Sequence, residues 1–191
     1  TSRGAPASGA FEWGKILGMW VGSRRVLSDA GAIICVGQRE QELAQKAFPK
    51  KRVVHLPNGV DPSRFSEGDG PRFRKRFGIP GDAQVILTVA RIDSQKNQLM
   101  TVKALPELLK KSPKAHLLHI GHVANESYVS EIKKTISRNG LDAHVTIVPG
   151  LDGGSTDLVD GYHAADVFLL PSIHEPFGIV VLEAWASGLP V

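Results

Sequence analysis

Val85-Ile86-Leu87-Thr88-Val89-Ala90, the segment Asn97 to Lys111, and Ala115-His116-Leu117-Leu118-His119-Ile120-Gly121 are the stretches on which the fold turns. The first and third are apolar runs of strand length, rich in β-branched and aliphatic residues, which predicts buried strands. Between them Leu99, Val102, Leu105 and Leu109 recur at helical spacing, which predicts a helix with one apolar face. The alternation continues downstream. Tyr128 to Asn139 reads as an amphipathic helix closed by Gly140. His144 to Val148 reads as a strand, Leu158 to Ala165 as a helix, Asp166 to Leu170 as an apolar strand, and Gly178 to Ser187 as a helix followed by Gly188. Strands and helices alternating at this spacing predict the α/β class, with a doubly wound parallel sheet covered on both faces. Such sheets take ligands beyond the carboxyl ends of their strands.

Upstream the pattern is less regular. Phe11 to Val26 is an irregular apolar stretch carrying Lys15, Arg24 and Arg25, read as buried rather than resting on a membrane surface. Gly31 to Gly37 predicts a short buried strand. Gln38 to Phe48 predicts a helix with Leu43, Ala44 and Ala47 on one face, stopped by Pro49. Arg52 to Leu56 predicts another strand, and Pro57-Asn58-Gly59-Val60-Asp61-Pro62 is a turn-rich connector. At the other end the chain stops at Gly188-Leu189-Pro190-Val191, where a further strand is expected. The sheet is therefore expected to be unfinished. The strand at Asp166 to Leu170 would be fourth in a doubly wound order, and its apolar edge carries none of the lysines or prolines that guard edges. An edge left unpaired tends to recruit another chain.

Composition excludes several classes. The 191 residues are 42% hydrophobic and 22% charged, a mix that buries a core rather than staying disordered. A net charge of +4 suits phosphate-bearing ligands and is too small to argue for nucleic acid. Cys35, the lone cysteine, sits in an apolar run and reads as a buried thiol. No apolar stretch approaches the roughly 20 residues of a membrane-spanning helix. Arg72-Phe73-Arg74-Lys75-Arg76-Phe77 reads as a charged helix face with two phenylalanines docked inward. His116, His119 and His122 follow each other at three-residue spacing, which puts neighbours on opposite faces of a strand and argues against a metal site.

The strongest chemical signal is His174-Glu175-Pro176-Phe177-Gly178-Ile179-Val180-Val181-Leu182-Glu183-Ala184. Glu175 falls in the loop at the carboxyl end of the strand before it. Gly178 opens a helix whose free N–H groups face the same crevice, a place where a phosphate can approach closely. Glu183 lies about a turn and a half into that helix. Two glutamates eight residues apart carry little weight by themselves. Preceded by Pro171-Ser172 and interrupted by Phe177-Gly178, they become specific.

This segment resembles the E-x7-E region of retaining glycosyltransferases of group 1, the large family that includes glycogen, sucrose and lipid-linked mannosyl synthases. The resemblance runs from about Ala30 to Val191. It includes Leu56 to Asp61, like the family's interdomain connector, and Thr88 to Asn97, like its first donor-domain loop. Tyr162-His163-Ala164-Ala165-Asp166 and Glu183-Ala184-Trp185-Ala186-Ser187-Gly188 complete the set in the expected order. It implies the GT-B architecture of two Rossmann-like domains, with residues 1–61 the end of the acceptor domain plus connector and 62–191 an incomplete donor domain.

Site roles follow from the same resemblance. Arg91 and Lys96 would grip the donor diphosphate, where negative charge builds as the glycosidic bond breaks. Glu175 would contact the transferred sugar and, with Arg91 and Lys96, form the catalytic set. His174 and the backbone at Phe177, Gly178 and Ile179 would also bind substrate, and Glu183 would hold the ribose. The substrate would be a UDP-, GDP- or ADP-sugar, with no cofactor and no metal, cations and backbone donors acting in a metal's place. Implied partners are that donor and a carbohydrate or lipid-linked acceptor, with no nucleic acid. The expected location is cytoplasmic, with peripheral contact at the inner face of the membrane left open. Transfer with retention would proceed by attack on the face from which the diphosphate leaves. This polypeptide alone is expected to be inactive without the remainder of its parent. The competing reading is a nucleotide- or phosphosugar-binding module without catalysis of its own.

Overall fold

The computed structural model describes residues 24–151, 154–175 and 177–191, and the chain divides into two compact units, Thr1–Asn58 and Gly59–Val191. In the first, helix α1 (Arg24–Asp29) leads to strand β1 (Ile33–Cys35), helix α2 (Gln38–Ala47) and strand β2 (Val53–His55). The two strands are parallel neighbours, with Ile33 opposite Val53 and Cys35 opposite His55. Ile33 and Cys35 are buried and Ile34 between them is exposed, the two-residue period of a strand. The expected Gly31–Gly37 strand is thus shorter, with only one face buried among the described residues. Leu43 of α2 is likewise exposed. The apolar stretch beginning at Phe11 lies outside the described residues except for Arg24 to Val26, which open α1.

The second unit starts with a 3-10 turn at Pro62–Phe65, capped by Asp61, whose side chain accepts from the Ser63 N–H. Then follow α3 (Gly70–Arg76), β3 (Gln84–Val89), α4 (Gln98–Leu109), β4 (Ala115–Gly121), α5 (Glu126–Arg138), β5 (Val145–Pro149), α6 (Thr156–His163), β6 (Val167–Phe168) and α7 (Ile179–Ala186). The four strands form one sheet in the order β5-β4-β3-β6, parallel throughout. The chain steps outward from β3 through β4 to β5, then crosses back to place β6 on the other side of β3. This is the doubly wound order, and it puts a topological switch point between β3 and β6.

Each face of the sheet carries its own core. Val85, Leu87, Leu118 and Ile120 pack with Phe65, Phe73, Tyr162, Phe168 and Ala184. Leu117 packs with Val102 and Leu105 of α4 and Ile132 and Ile136 of α5 on the other face. The alternation along β4 separates His116 from His119 in the same way. His116 Nε2 lies 2.8 Å from Thr146 Oγ1, while His119 Nε2 lies 3.4 Å from Thr101 Oγ1 on α4.

β6 is shorter than the apolar run Asp166 to Leu170 predicts. Its ladder nevertheless reaches further, because Asp166 N donates to Val85 O and Leu169 N to Leu87 O. The expectation of a bare outer edge is also corrected: Phe168 N donates to Pro190 O, so the chain's last residues begin to cover it.

Candidate functional site

Two loops meet at the switch point. One follows β3, from Ala90 to Asn97, and the other follows β6, from Leu169 to Gly178. Gly121 brings the strand ends together: it ends β4 at φ +157, where an added Cβ would overlap the Ala90 carbonyl oxygen. Only glycine permits that approach.

The loops are stitched to each other along their length. Thr88 Oγ1 donates to Leu169 O at 2.9 Å, and Asn97 Nδ2 to Pro171 O at 3.4 Å. Ile173 N donates to Gln95 O, and Gln95 Nε2 to His174 O at 3.3 Å. Asn97 itself takes the left-handed conformation at φ 60, which asparagine tolerates better than other side chains, and it precedes α4 as its cap residue.

At the centre Lys96 Nζ donates to Glu175 Oε2 at 2.6 Å. Ser172 Oγ reaches the same oxygen at 3.2 Å. The two charged side chains are 14% and 25% exposed, so the pair is screened less than a surface pair. Arg91 stays within its own loop and pairs with Asp93 at 3.3 Å, with its side chain mostly exposed. Its carbonyl is held by buried Gln98, whose Nε2 donates to Arg91 O at 2.8 Å. Asp93 Oδ1 also accepts from Lys96 N at 3.0 Å, so one carboxylate shapes the turn that carries both cations.

Beside this pair the β6 loop ends at Gly178, in the left-handed conformation at φ 74, and α7 starts with no side-chain cap on its first-turn N–H groups. A Cβ on Gly178 would lie 3.2 Å from Glu175 Cγ, so the glycine also leaves room for that glutamate. His174 and Ile179 are exposed and Phe177 half-buried around this entry. Glu183 lies further along α7 and meets a different partner: Tyr162 Oη donates to Glu183 Oε2 at 2.6 Å. Of the predicted site residues the structure therefore joins Lys96 to Glu175 directly. Arg91 and Glu183 stand in pairs of their own.

Three participants escaped the sequence reading of roles. Asp93 and Gln98 shape the cation-bearing loop, and Tyr162 belonged to a motif with no role attached. The available signal was Tyr162 itself, a tyrosine in an apolar run, because a buried phenol must find a hydrogen-bond partner. Among the described residues no three His, Cys, Asp or Glu side chains are grouped to hold a metal ion, and no helix is long and apolar enough to cross a membrane.

Residues 69–191 match the family model of the glycosyl transferases group 1. The chain is 33% identical over 179 residues to a GDP-mannose-dependent alpha-(1-6)-phosphatidylinositol monomannoside mannosyltransferase of Mycolicibacterium smegmatis, covering 88% of this chain and 45% of the relative. It is 30% identical over 183 residues to a D-inositol 3-phosphate glycosyltransferase of Kineococcus radiotolerans, covering 91% of this chain and 42% of that one. The chain thus spans less than half the length of these relatives. Among solved structures, Anabaena HepE in complex with UDP and glucose superimposes with a TM-score of 0.72 at 25% identity, over 85% of this chain and 44% of HepE.

Proposed function

Because the chain belongs to the glycosyl transferases group 1, we propose that its second unit is the donor-binding part of a retaining hexosyltransferase that uses a nucleoside-diphospho-sugar. The observation that carries this reading is the Lys96–Glu175 pair at the sheet's switch point, next to the open first turn of α7. A diphosphate placed there meets Lys96 as a compact charge and the N–H groups of α7 as fixed donors. Glu175, released in part from Lys96, turns an oxygen to the hydroxyls of the transferred sugar. Glu183 takes the ribose.

In the reaction the bond between the anomeric carbon and the β-phosphate oxygen breaks, and its electron pair goes to that oxygen. The acceptor hydroxyl forms its bond on the same face, and its proton passes to the departing diphosphate. Lys96, Arg91 and the α7 N-terminus stabilise the charge that gathers on the leaving group, a contribution made mainly in the transition state. In this reading the cations and backbone donors carry the role without a resident metal. The acceptor is a hydroxyl of a carbohydrate or lipid-linked glycan, contacted chiefly by residues of a first domain. Relatives suggest where to begin with donors. One carries GDP-mannose in its name and another was solved with UDP and glucose.

Titration calorimetry with UDP, GDP and ADP tests the assignment. At least one nucleotide is expected to bind, with unchanged affinity in excess EDTA. Lys96→Ala should weaken it by about 1–3 kcal/mol, the worth of a charge-assisted hydrogen bond. Undiminished binding of that nucleotide by Lys96→Ala would refute the reading.

A further inference from the structure

The geometry points to Tyr162 as a positioning residue that fixes the Glu183 carboxylate, and through it makes the site selective for ribonucleotide over deoxyribonucleotide donors. The inference rests on the proposed placement of the donor ribose at Glu183. Tyr162 is fully buried in α6. Its ring stands edge-on to Phe65, with centroids 5.6 Å apart and planes at 88°. On another side it stacks on Phe168 of β6 at 6.0 Å. A ring held this way has little rotational freedom, so its hydroxyl is delivered to one point. That point is Glu183 Oε2, at 2.6 Å, the short distance of a hydroxyl donating to a carboxylate.

Two consequences follow for Glu183. Left alone on a helix, a glutamate samples several rotamers, and holding it still costs entropy when a ligand binds. The Tyr162 hydrogen bond meets that cost during folding. It also occupies only one carboxylate oxygen. The side chain is half-buried and Tyr162 engages Oε2, so Oε1 is the acceptor offered to a ribose hydroxyl. The phenol keeps its proton, because burial first, then the hydrogen bond and the charge of Glu183, push its titration up and out of the physiological range. It therefore remains a donor at neutral pH. Phe65, from the turn that opens the second unit, adds a remote support: it touches the ring that aims the carboxylate.

The test compares UDP, GDP and ADP with their 2′-deoxy and 3′-deoxy counterparts on the 191-residue chain, Tyr162→Phe, Glu183→Gln and the double variant. Tyr162→Phe preserves the packed ring and removes only the hydroxyl, and its thermal unfolding is followed alongside. The parent is expected to prefer the ribonucleotide over at least one deoxy form by about tenfold or more, the usual worth of a hydrogen bond to a charged group. Tyr162→Phe should bring that preference down to about threefold or less while leaving deoxynucleotide affinity nearly unchanged. The double variant should discriminate no worse than Glu183→Gln alone. A merely structural tyrosine would weaken both nucleotide classes together and leave their ratio intact, and that result overturns the inference. If Glu183→Gln also left the ratio intact, the ribose assignment itself would fall. If Glu183→Gln abolished the preference and Tyr162→Phe did not, only the positioning role would.

Discussion

Lys96 and Arg91 do not face the crevice as bare cations: Lys96 is matched by Glu175 and Arg91 by Asp93. Locally the two positive charges are balanced by two negative ones. Under the proposed function, attraction of a diphosphate would then depend on fixed donors and on the exchange of Lys96 from carboxylate to phosphate rather than on excess positive charge. On the same reading, Glu175 would accordingly work against plain nucleotide and in favour of sugar nucleotide. Glu175→Gln removes the competing charge but keeps the shape. It is expected to bind UDP as tightly as the parent or up to about tenfold more tightly, and to bind UDP-glucose less well than UDP. Side-by-side titrations with the two ligands check this, and a parallel loss for both would contradict it. If GDP proves the preferred base, GDP and GDP-mannose serve instead.

At the scale of elements, the basic run Arg72 to Phe77 becomes intelligible as a clamp. Phe73 is buried and Phe77 packs against it at a tilt, with ring centroids 4.4 Å apart. The cations point elsewhere. Arg72 pairs with Asp160 of α6, whose carboxylate also accepts from Asp69 N at 2.7 Å. Arg76 pairs with Asp157 at 2.6 Å. Arg74 binds the carbonyls of Gly81, Ala83 and Ala164 and the carboxylate of Asp166. The run thus fastens α3 to α6 and to the starts of β3 and β6, as a sequence reader would expect of a charged helix face. Asp160 is buried, so deleting it leaves the Asp69 amide without its partner, while the mostly exposed Arg72 guanidinium returns to water. Asp160→Ala is expected to cost about 2–3 kcal/mol in urea unfolding. Combined with Arg72→Ala it should cost less than the sum of the single losses. Strict additivity would show that the two side chains are not coupled.

For the whole molecule, two buried histidines link stability to pH. Burial pulls His119 down to about 4. Burial, then the nearby charge of His144, does the same to His116, with Arg74 adding to it against an opposing hydrogen bond. Both values lie below the ordinary 6.5. Above pH 6.5 both folded and unfolded chains hold these rings neutral, and stability is at its full value. Between about 6.5 and 4 the unfolded chain takes up protons that the folded chain refuses, so stability falls as the solution is acidified. Each ring accounts for up to about 3 kcal/mol over that window, at about 1.4 kcal/mol per pH unit. Urea titrations at pH 7.5, 6 and 4.5 should show the decline. His119→Gln should remove about half of its slope, whatever offset it adds. An unaltered slope would mean that His119 is not held neutral in the fold.

Much was determined by the sequence alone. Apolar runs of strand length separated by amphipathic helices leave a parallel sheet covered on both faces as the one arrangement that buries them all, and β4, buried along nearly its whole length, fits that demand. The position of Glu175 and Gly178 beyond a strand's carboxyl end was equally legible, because a strand followed by a glycine-opened helix leaves little choice. Tertiary structure decided what no local pattern encodes. Lys96 and Glu175 lie 79 residues apart and meet only because β6 crosses back to pair with β3. Tyr162 and Glu183 meet because α6 and α7 cover the same face of the sheet, where Phe65 and Phe168 fix the ring between them. The short β6 and the Pro190 contact at its edge are of the same kind. Hydrophobic period reports which face of a segment is buried. Which side chain it meets there depends on strand order, register and the packing of rings, and those are properties of the assembled sheet.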